Sequence, residues 1–437
     1  MGEAIMASVG RSGVLPGIKK KLQTRIFTTN GTFVVPGNIV NNELRVLCFG
    51  GGGSSVGTHD AWGTGWFSNA GGGGGYMNQQ ILNNIPSQVA INVNIGVGAA
   101  PSDAYGRNGG GVGGSTFFGS YVSANGGSPG SVRYCRITSD THELISVGGN
   151  GGSGGGGGYG SCNYSKGGDG EQFGGGGAGA YPASLANYNI NINRLTTKKW
   201  AANYNQYNYS HANSLNNGAD GGNGGIYGGG GGGGFYYAST YTNGAIEFCI
   251  GNGGKGGKYG GNGGEYGSDG IDGKFISESQ IIQDINLYNN PSKGISRNKF
   301  GSGGGGGYGG RGGSANTTSF CLHYNMKGSG GSDYNDYRGI TLSGGGGGGG
   351  YGSNGGNGAL SNNSRMSQTY VYMLKGSGGG GGGGYGGNGA DAINDQGGGG
   401  GGYGPSNYGA GGGGTAINGS SGKDGICIVQ YYEMVME

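Results

Sequence analysis

Seven glycine runs in this chain end on an aromatic residue. Residues 71–75 end at Tyr76, 154–158 at Tyr159, 228–234 at Phe235 and 303–307 at Tyr308. Residues 344–350 end at Tyr351, 378–384 at Tyr385 and 397–402 at Tyr403. Glycine has no side chain to remove from water, so no ordinary apolar core can be built from such runs. Either the backbone is itself the packing material or the runs are disordered. Glycine supplies 125 of 437 residues, an abundance that without a period usually marks low complexity. Yet the chain holds 30 Tyr and 12 Phe at a net charge of +3. Disordered chains are typically highly charged and poor in aromatics. With only 8 Pro and no Gly-X-Y period, collagen is excluded.

Both ends of the chain look like strands. Ile26-Phe27 and Thr32–Val35 flank Asn30-Gly31, a hairpin-type dipeptide, and Pro36-Gly37 makes a second turn. Leu44 to Phe49 alternates and runs directly into glycines 50–53. Val89, Ile91, Val93, Ile95 and Val97 recur at every second residue, which predicts a half-buried strand. Residues 133–138 and 142–147 read as a hairpin, and Ile426 to Tyr432 as a last strand. Only residues 277–288 suggest a helix. The organisation is therefore an N-terminal arm (1–24), a strand-rich anchoring region with the first glycine tracts (25–147), a glycine block with variable connectors (148–425) and a closing strand (426–437).

Polyglycine can form an extended left-handed helix with three residues per turn and ~3.1 Å rise. That helix has no internal hydrogen bonds, so its buried N–H and C=O groups must be satisfied by neighbouring helices. Side-by-side packing does this, and absent side chains permit the close approach. As one helix, a tract of about 13 residues would span roughly 40 Å. The fold class is thus an irregular, all-β-like one. Short strands at both ends frame a sandwich of packed polyglycine II helices, with loops at both tips and almost no α-helix. Tyr residues that end the tracts would seal the glycine layer, and Asn223, Asn252, Asn262 and Asn388 would face outward. If tracts alternate in direction, connectors alternate between tips. Residues 181–217 and 271–300 then share one tip, and residues 235–250 lie at the other.

Catalytic or cofactor chemistry is not visible. A phosphate-binding loop needs Lys followed by Ser or Thr, whereas Lys255 precedes Gly256 and Lys423 precedes Asp424. Residues 386–394 fit a calcium-binding nonapeptide, but such repeats share ligands with tandem neighbours, and none precedes it. A glycine tract ending in a turn is the simpler reading. His59, His142, His211 and His323 lack metal-ligand spacing, and the six Cys form no CxxC pair. Cys48 and Cys427 lie in apolar runs and read as small buried hydrophobes. No cofactor, metal or enzymatic role is therefore expected. The one dense basic cluster, Lys19, Lys20, Lys21 and Arg25, reads as a solvated arm. A single Arg-Gly-Gly unit at residues 311–313 argues against a condensing, disordered RNA-binding chain. No apolar stretch is long enough to span a membrane, and residues 1–23 hold no leader-type apolar region.

The connectors carry the aromatics. Residues 60–67 hold Trp62 and Trp66; residues 181–217 hold Trp200, Tyr204, Tyr207 and Tyr209; residues 235–241 hold Tyr236, Tyr237 and Tyr241. Tyr set among Ser, Gly and Asn is the composition of antibody binding loops, where rigid rings give contact area at low entropic cost. These nine residues are the candidate binding set.

The opening Phe27-Thr28-Thr29-Asn30-Gly31-Thr32-Phe33-Val34-Val35-Pro36, with residues 44–49 entering glycines 50–53, resembles the start of glycine-rich domains in bacteriophage tail proteins. Residues 422–432 look like their final strand. The interior resembles the receptor-binding adhesins at the tips of T-even-type long tail fibres. That resemblance covers about residues 25–432. It implies a virion protein, made in the host cytoplasm, with a polyglycine sandwich presenting variable loops to a host cell-surface receptor, protein or glycan. It also implies attachment to other fibre subunits through a trimeric fibre, with neither nucleic-acid binding nor membrane insertion.

Overall fold

The computed structural model describes residues 18–59, 67–101, 110–136, 142–156, 164–171, 173–177, 221–231, 235–240, 245–250, 255–257, 316–326, 334–344, 347–358, 380–392, 398–413 and 420–436. The described strands are, first, β1 (Ile18–Phe27), β2 (Gly31–Val34), β3 (Glu43–Phe49), β4 (Val56–His59), β5 (Phe67–Ala70) and β6 (Met77–Asn83). There follow β7 (Ala90–Asn94), β8 (Thr116–Phe118), β9 (Val122–Ala124), β10 (Ser131–Arg136), β11 (His142–Val147) and β12 (Tyr164–Lys166). The last are β13 (Phe235–Thr240), β14 (Ala245–Ile250), β15 (Asn316–Met326), β16 (Tyr334–Gly344) and β17 (Ile426–Met436). The only helical turn among the described residues is a 3₁₀ turn at Val40–Asn42. The fold is of the irregular all-β class.

Two four-stranded sheets face each other, in the orders β1-β17-β3-β6 and β2-β7-β8-β9. Alternation decides which residues they bury. Leu44, Val46 and Cys48 of β3, and Cys427, Val429 and Tyr431 of β17, meet Phe33, Ile91, Val93, Phe118 and Val122 of the second sheet. Phe33 packs edge-on against Tyr431, with ring centroids 5.7 Å apart. The hairpin expected around Asn30-Gly31 does not form. β1 pairs with β17, and β2 with β7. The chain crosses there from one sheet to the other, and Asn30 Oδ1 accepts the Ile95 N–H at 2.7 Å. β10 and β11 do pair as a hairpin. The strand expected to reach Val97 ends at Asn94, because Gly96 already belongs to the glycine block.

That block has a three-residue repeat in its hydrogen bonds. The N–H groups of Gly50 and Gly53 donate to Tyr76 and Gly73, those of Gly51 and Ser54 to Gly114 and Gly111, those of Gly52 and Ser55 to Lys423 and Ser420. Successive residues therefore address three different neighbours, and the fourth returns to the first, as a three-fold helix requires. The same repeat runs through residues 71–76, which donate in turn to segments 153–156, 409–412 and 125–128. Carbonyls of segment 50–55 accept from Ala99, from Gly127 and Gly130, and from Gly412. The segment is thus ringed by six others: 71–76, 110–114, 420–423, 96–99, 125–130 and 409–412.

Five of those six neighbours continue strands. Segment 50–55 extends β3, and the neighbours 71–76, 96–99, 110–114, 125–130 and 420–425 adjoin β6, β7, β8, β9 and β17. The two facing sheets therefore set the first helices of the lattice at the correct spacing and direction. Later segments add to it as hairpins. Where the lattice admits serine, the hydroxyl is used: Ser55 donates to the Gly413 carbonyl at 3.1 Å, and Ser153 and Ser353 donate to those of Gly401 and Gly384.

The lattice surface is closed by Asn and Asp. Asn150 Oδ1 accepts the Asp169 N–H at 2.8 Å, Asp169 Oδ1 that of Asn223 at 2.7 Å, and Asn223 Oδ1 that of Lys255 at 2.9 Å. Asn388 and Asp391 do the same for Asn354 and Asn357. Asn223 and Asn388 are exposed, as expected, and their bonds reach across to the adjacent helix. A side-chain oxygen here stands in for the carbonyl of a helix the surface lacks. Asn252 and Asn262 lie outside the described residues.

Candidate binding surface at the connector end

The glycine segments are short because the tracts fold back. Gly350 N–H donates to the Ser353 carbonyl at 3.0 Å, and Gly384 N–H to that of Gly387 at 2.8 Å. Tyr351-Gly352 and Tyr385-Gly386 are the turn residues, and both glycines have positive φ (+63° and +72°). A left-handed third residue is what Gly supplies in such a turn. Tyr403 and Tyr408 close another turn, Ile226-Tyr227 a fourth, and Phe173 a fifth. The single helix of about 13 residues expected for tracts such as 344–358 is thus a pair of shorter antiparallel ones.

These turns lie together at the end of the block that meets the sheets, and their rings form a row. Tyr227 stacks on Phe173 at 4.9 Å; Phe173 meets Tyr385 edge-on at 5.2 Å. Tyr385 stacks on Tyr351 at 4.7 Å and on Tyr403 at 5.7 Å, and Tyr403 packs on Phe49 at 4.9 Å. Phe49, Met77, Ile426 and Ile428 anchor the row to the outer face of the first sheet. Tract-ending tyrosines therefore do seal the glycine layer, but at its end and against one another. Tyr76 and Phe235 instead lead into β6 and β13, and Tyr159 and Tyr308 lie outside the described residues.

Burial holds the phenols of Tyr385, Tyr403 and Tyr76 above their ordinary value of 10.0; neighbouring Tyr351 and Tyr403 add to it for Tyr385, and Glu171 for Tyr76. The folded state then keeps protons that the unfolded chain releases above pH 10. Stability from these groups is complete below pH 10 and falls as pH rises beyond it. Thermal unfolding should show a melting temperature that drops above pH 10, and Tyr403→Phe and Tyr385→Phe should each flatten the drop. An unchanged alkaline slope in both variants would remove the row's role.

Turns at one end leave connectors at the other. Gly71 N–H donates to Gly156, Gly156 to Gly398, Gly222 to Gly177 and Gly231 to Gly222. Gly347 donates to Gly356, Gly381 to Ala390, and Ser55 to Ser420. Residues on either side of the connectors 56–70, 157–166, 178–220, 359–379, 393–397 and 414–419 therefore share the end remote from the aromatic row. Connectors 131–147 and 232–254 leave the block there too. The described residues that flank 178–220 and 232–254, namely 177, 221, 231 and 255, accordingly lie towards one end, where strictly alternating tracts would put them at opposite tips; residues 181–217 themselves lie outside the described residues. The reason is the added turn at Ile226-Tyr227, which sends the tract back to the end it came from. Residues 271–300 lie outside the described residues, as do 277–288.

Of the nine candidate binding residues, Trp62, Trp66, Trp200, Tyr204, Tyr207, Tyr209 and Tyr241 lie outside the described residues. Tyr236 and Tyr237 are on β13, opposite Cys249 and Phe248 of β14 and Leu342 and Thr341 of β16. β13 thereby joins connector 232–254 to the β15–β16 hairpin in one sheet, of order β14-β13-β16-β15. That pairing has no local sequence signal, since β16 begins about a hundred residues after β13. No group of three or more His, Cys, Asp or Glu placed to hold a metal occurs among the described residues. Asp391, in the nonapeptide match, accepts the Asn357 N–H at 2.6 Å. Cys48 and Cys427 are buried, with sulfurs 3.5 Å apart. The hydrogen bond to Cys48, with burial, pushes the Cys427 thiol far up, so it stays protonated.

Residues 28–245 match the family model described as a glycine-rich domain. The chain carries a glycine-rich domain. No curated protein matches the chain. The matched stretch begins just after β1 and ends at the first residue of β14, whereas the lattice of the glycine-rich domain takes in segments as late as 420–425. Segment 50–55, inside the match, has two of its six neighbours outside it.

Proposed function

We propose that this chain is a non-enzymatic bacteriophage virion protein of the tail-fibre tip, binding a host cell-surface receptor through its connectors. The observation that supports it is the shared end from which the connectors leave. A lattice of backbone has few side chains with which to recognise anything. Recognition then falls to the connectors, and a rigid scaffold with variable loops is how binding surfaces are commonly built. Aromatic and Asn-rich composition in residues 181–217 suits contact with a protein or glycan surface.

Deletion of residues 204–209 tests this. Fluorescently labelled chain is added to intact cells of a panel of bacteria, and bound label is counted. The full chain should bind a subset of strains. The deletion should reduce binding at least ten-fold while thermal unfolding stays unchanged. Equal binding by both chains, with folding intact, would overturn the assignment of residues 204–209. Binding to none of the strains would overturn the adhesin reading.

A further inference from the structure

The first sheet continues well beyond the second. β17 pairs with β3 only over Ile426–Gln430, yet with β1 from Cys427 to Met436. Past Gln430 the two strands form a ribbon, held on one side by a short contact. There Asn38 Nδ2 donates to the Met434 carbonyl at 3.1 Å, and Ile39 bridges to Glu433. The ribbon points away from the glycine block, since β17 enters from segment 420–425. β1 is the sheet's outer strand. No strand lies across from its outer N–H and C=O groups among the described residues.

The pairing register sorts the ribbon into two faces. Ile18, Lys20, Leu22, Thr24 and Ile26 pair with Met436, Met434, Tyr432, Gln430 and Ile428 and share one face. Near the block that face is covered by the aromatic turns, which pack on Ile428. Elsewhere it is open and largely apolar: Leu22 is 49 %, Ile26 60 %, Tyr432 45 %, Met434 38 % and Met436 90 % exposed, with the exposed Lys20 and Thr24 between them. The opposite face of β1 carries Lys19, Lys21 and Arg25, all exposed. The one acid among their pairing partners, Glu433, accepts a bond from Gln23 Nε2 at 3.0 Å.

An exposed edge strand is a template for another strand, and lysines on it discourage pairing with a copy of itself. A second β1 laid antiparallel on this edge would bring two sets of Lys19, Lys20, Lys21 and Arg25 together. A strand with carboxylates on the basic face and apolar residues on the other would match both faces and add backbone bonds along the edge. We propose that β1 is a docking edge that takes up an extended acidic–apolar strand of another protein. Its carboxylates would lie on the face of Lys19, Lys21 and Arg25, and its apolar side chains on that of Leu22 and Ile26. This inference rests on the ribbon alone and holds whatever the connectors bind.

The probe is a fluorescein-labelled ten-residue peptide alternating valine and glutamate, titrated with the full chain and read by anisotropy. Its control alternates valine and lysine. The acidic peptide should bind saturably and at least ten-fold more tightly than the basic one. The triple variant Lys19→Glu, Lys21→Glu, Arg25→Glu should reverse that preference, a gain that misfolding cannot imitate. Leu22→Asp should weaken the acidic peptide at least ten-fold. Equal binding of both peptides, or binding of neither, overturns the proposal. So does a concentration-dependent dimer in light scattering that Leu22→Asp abolishes, since the edge would then be filled by a second copy.

Discussion

Gly52→Ala is expected to cost on the order of 4–5 kcal/mol, at the exceptional end for one residue. A Cβ on Gly52 would stand 1.8 Å from the Ala410 carbonyl oxygen and 2.3 Å from its carbon. Both belong to the backbone of a neighbouring segment, so no rotamer change relieves the clash. The segment must move, and with it the bonds from Gly52 to Lys423 and from Gly412 to Gly53. Against this, alanine gains only about 0.4–1 kcal/mol by narrowing the unfolded ensemble. Sterics win by a wide margin in the middle of the lattice. Gly413 reverses the balance: the nearest atoms to its Cβ would be 3.5 and 3.8 Å away, an ordinary contact. Gly413→Ala should therefore be neutral or stabilising by up to about 1 kcal/mol. Denaturant midpoints of the two variants decide it. Equal stability would mean that the segments are not packed backbone to backbone.

The contrast between Gly52 and Gly413 also marks what a reader of the sequence can see. Residues 44–53 show a strand entering glycine, and from the absence of side chains a packed three-fold lattice follows. Alternation likewise exposes Leu44, Val46 and Cys48 as one face and locates β10, β11 and β17. What is local is legible. The turn at Tyr385-Gly386 is local too, and the Tyr-Gly pair after a run of glycine is its signal. Within an unbroken glycine-rich stretch, however, one glycine of positive φ does not stand out from many that lack it. Missing these turns doubles the expected length of the segments they divide and changes the end at which the next connector leaves. Pairings such as Tyr237 with Thr341, or Cys48 with Cys427, depend on which segments the lattice brings together. No window of sequence contains that information. Composition alone marks the candidate binding residues, and only Tyr236 and Tyr237 among them fall on a described strand.

Removing residues 426–437 should abolish cooperative folding of the glycine block. β17 lies between β1 and β3. It buries Ile426, Cys427, Ile428, Val429 and Tyr431. At roughly 1.5–3 kcal/mol for each large apolar side chain buried, that burial is as large as the whole net stability of about 5–15 kcal/mol that most domains have. The loss does not stop at the sheets. Segment 420–425 leads directly into β17, and it accepts from Gly52 and Ser55 of the central segment. Glycine loses more conformational freedom on folding than any other residue, so the block depends on strands that hold its first helices in register. Hydrogen–deuterium exchange on full and truncated chains separates the possibilities. In the full chain, amides of 50–55, 71–76 and 380–384 should be protected. In the truncated chain they should exchange within the dead time. If they stay protected, the lattice is stable without its template, and the sheets would be ornaments of a self-sufficient glycine solid.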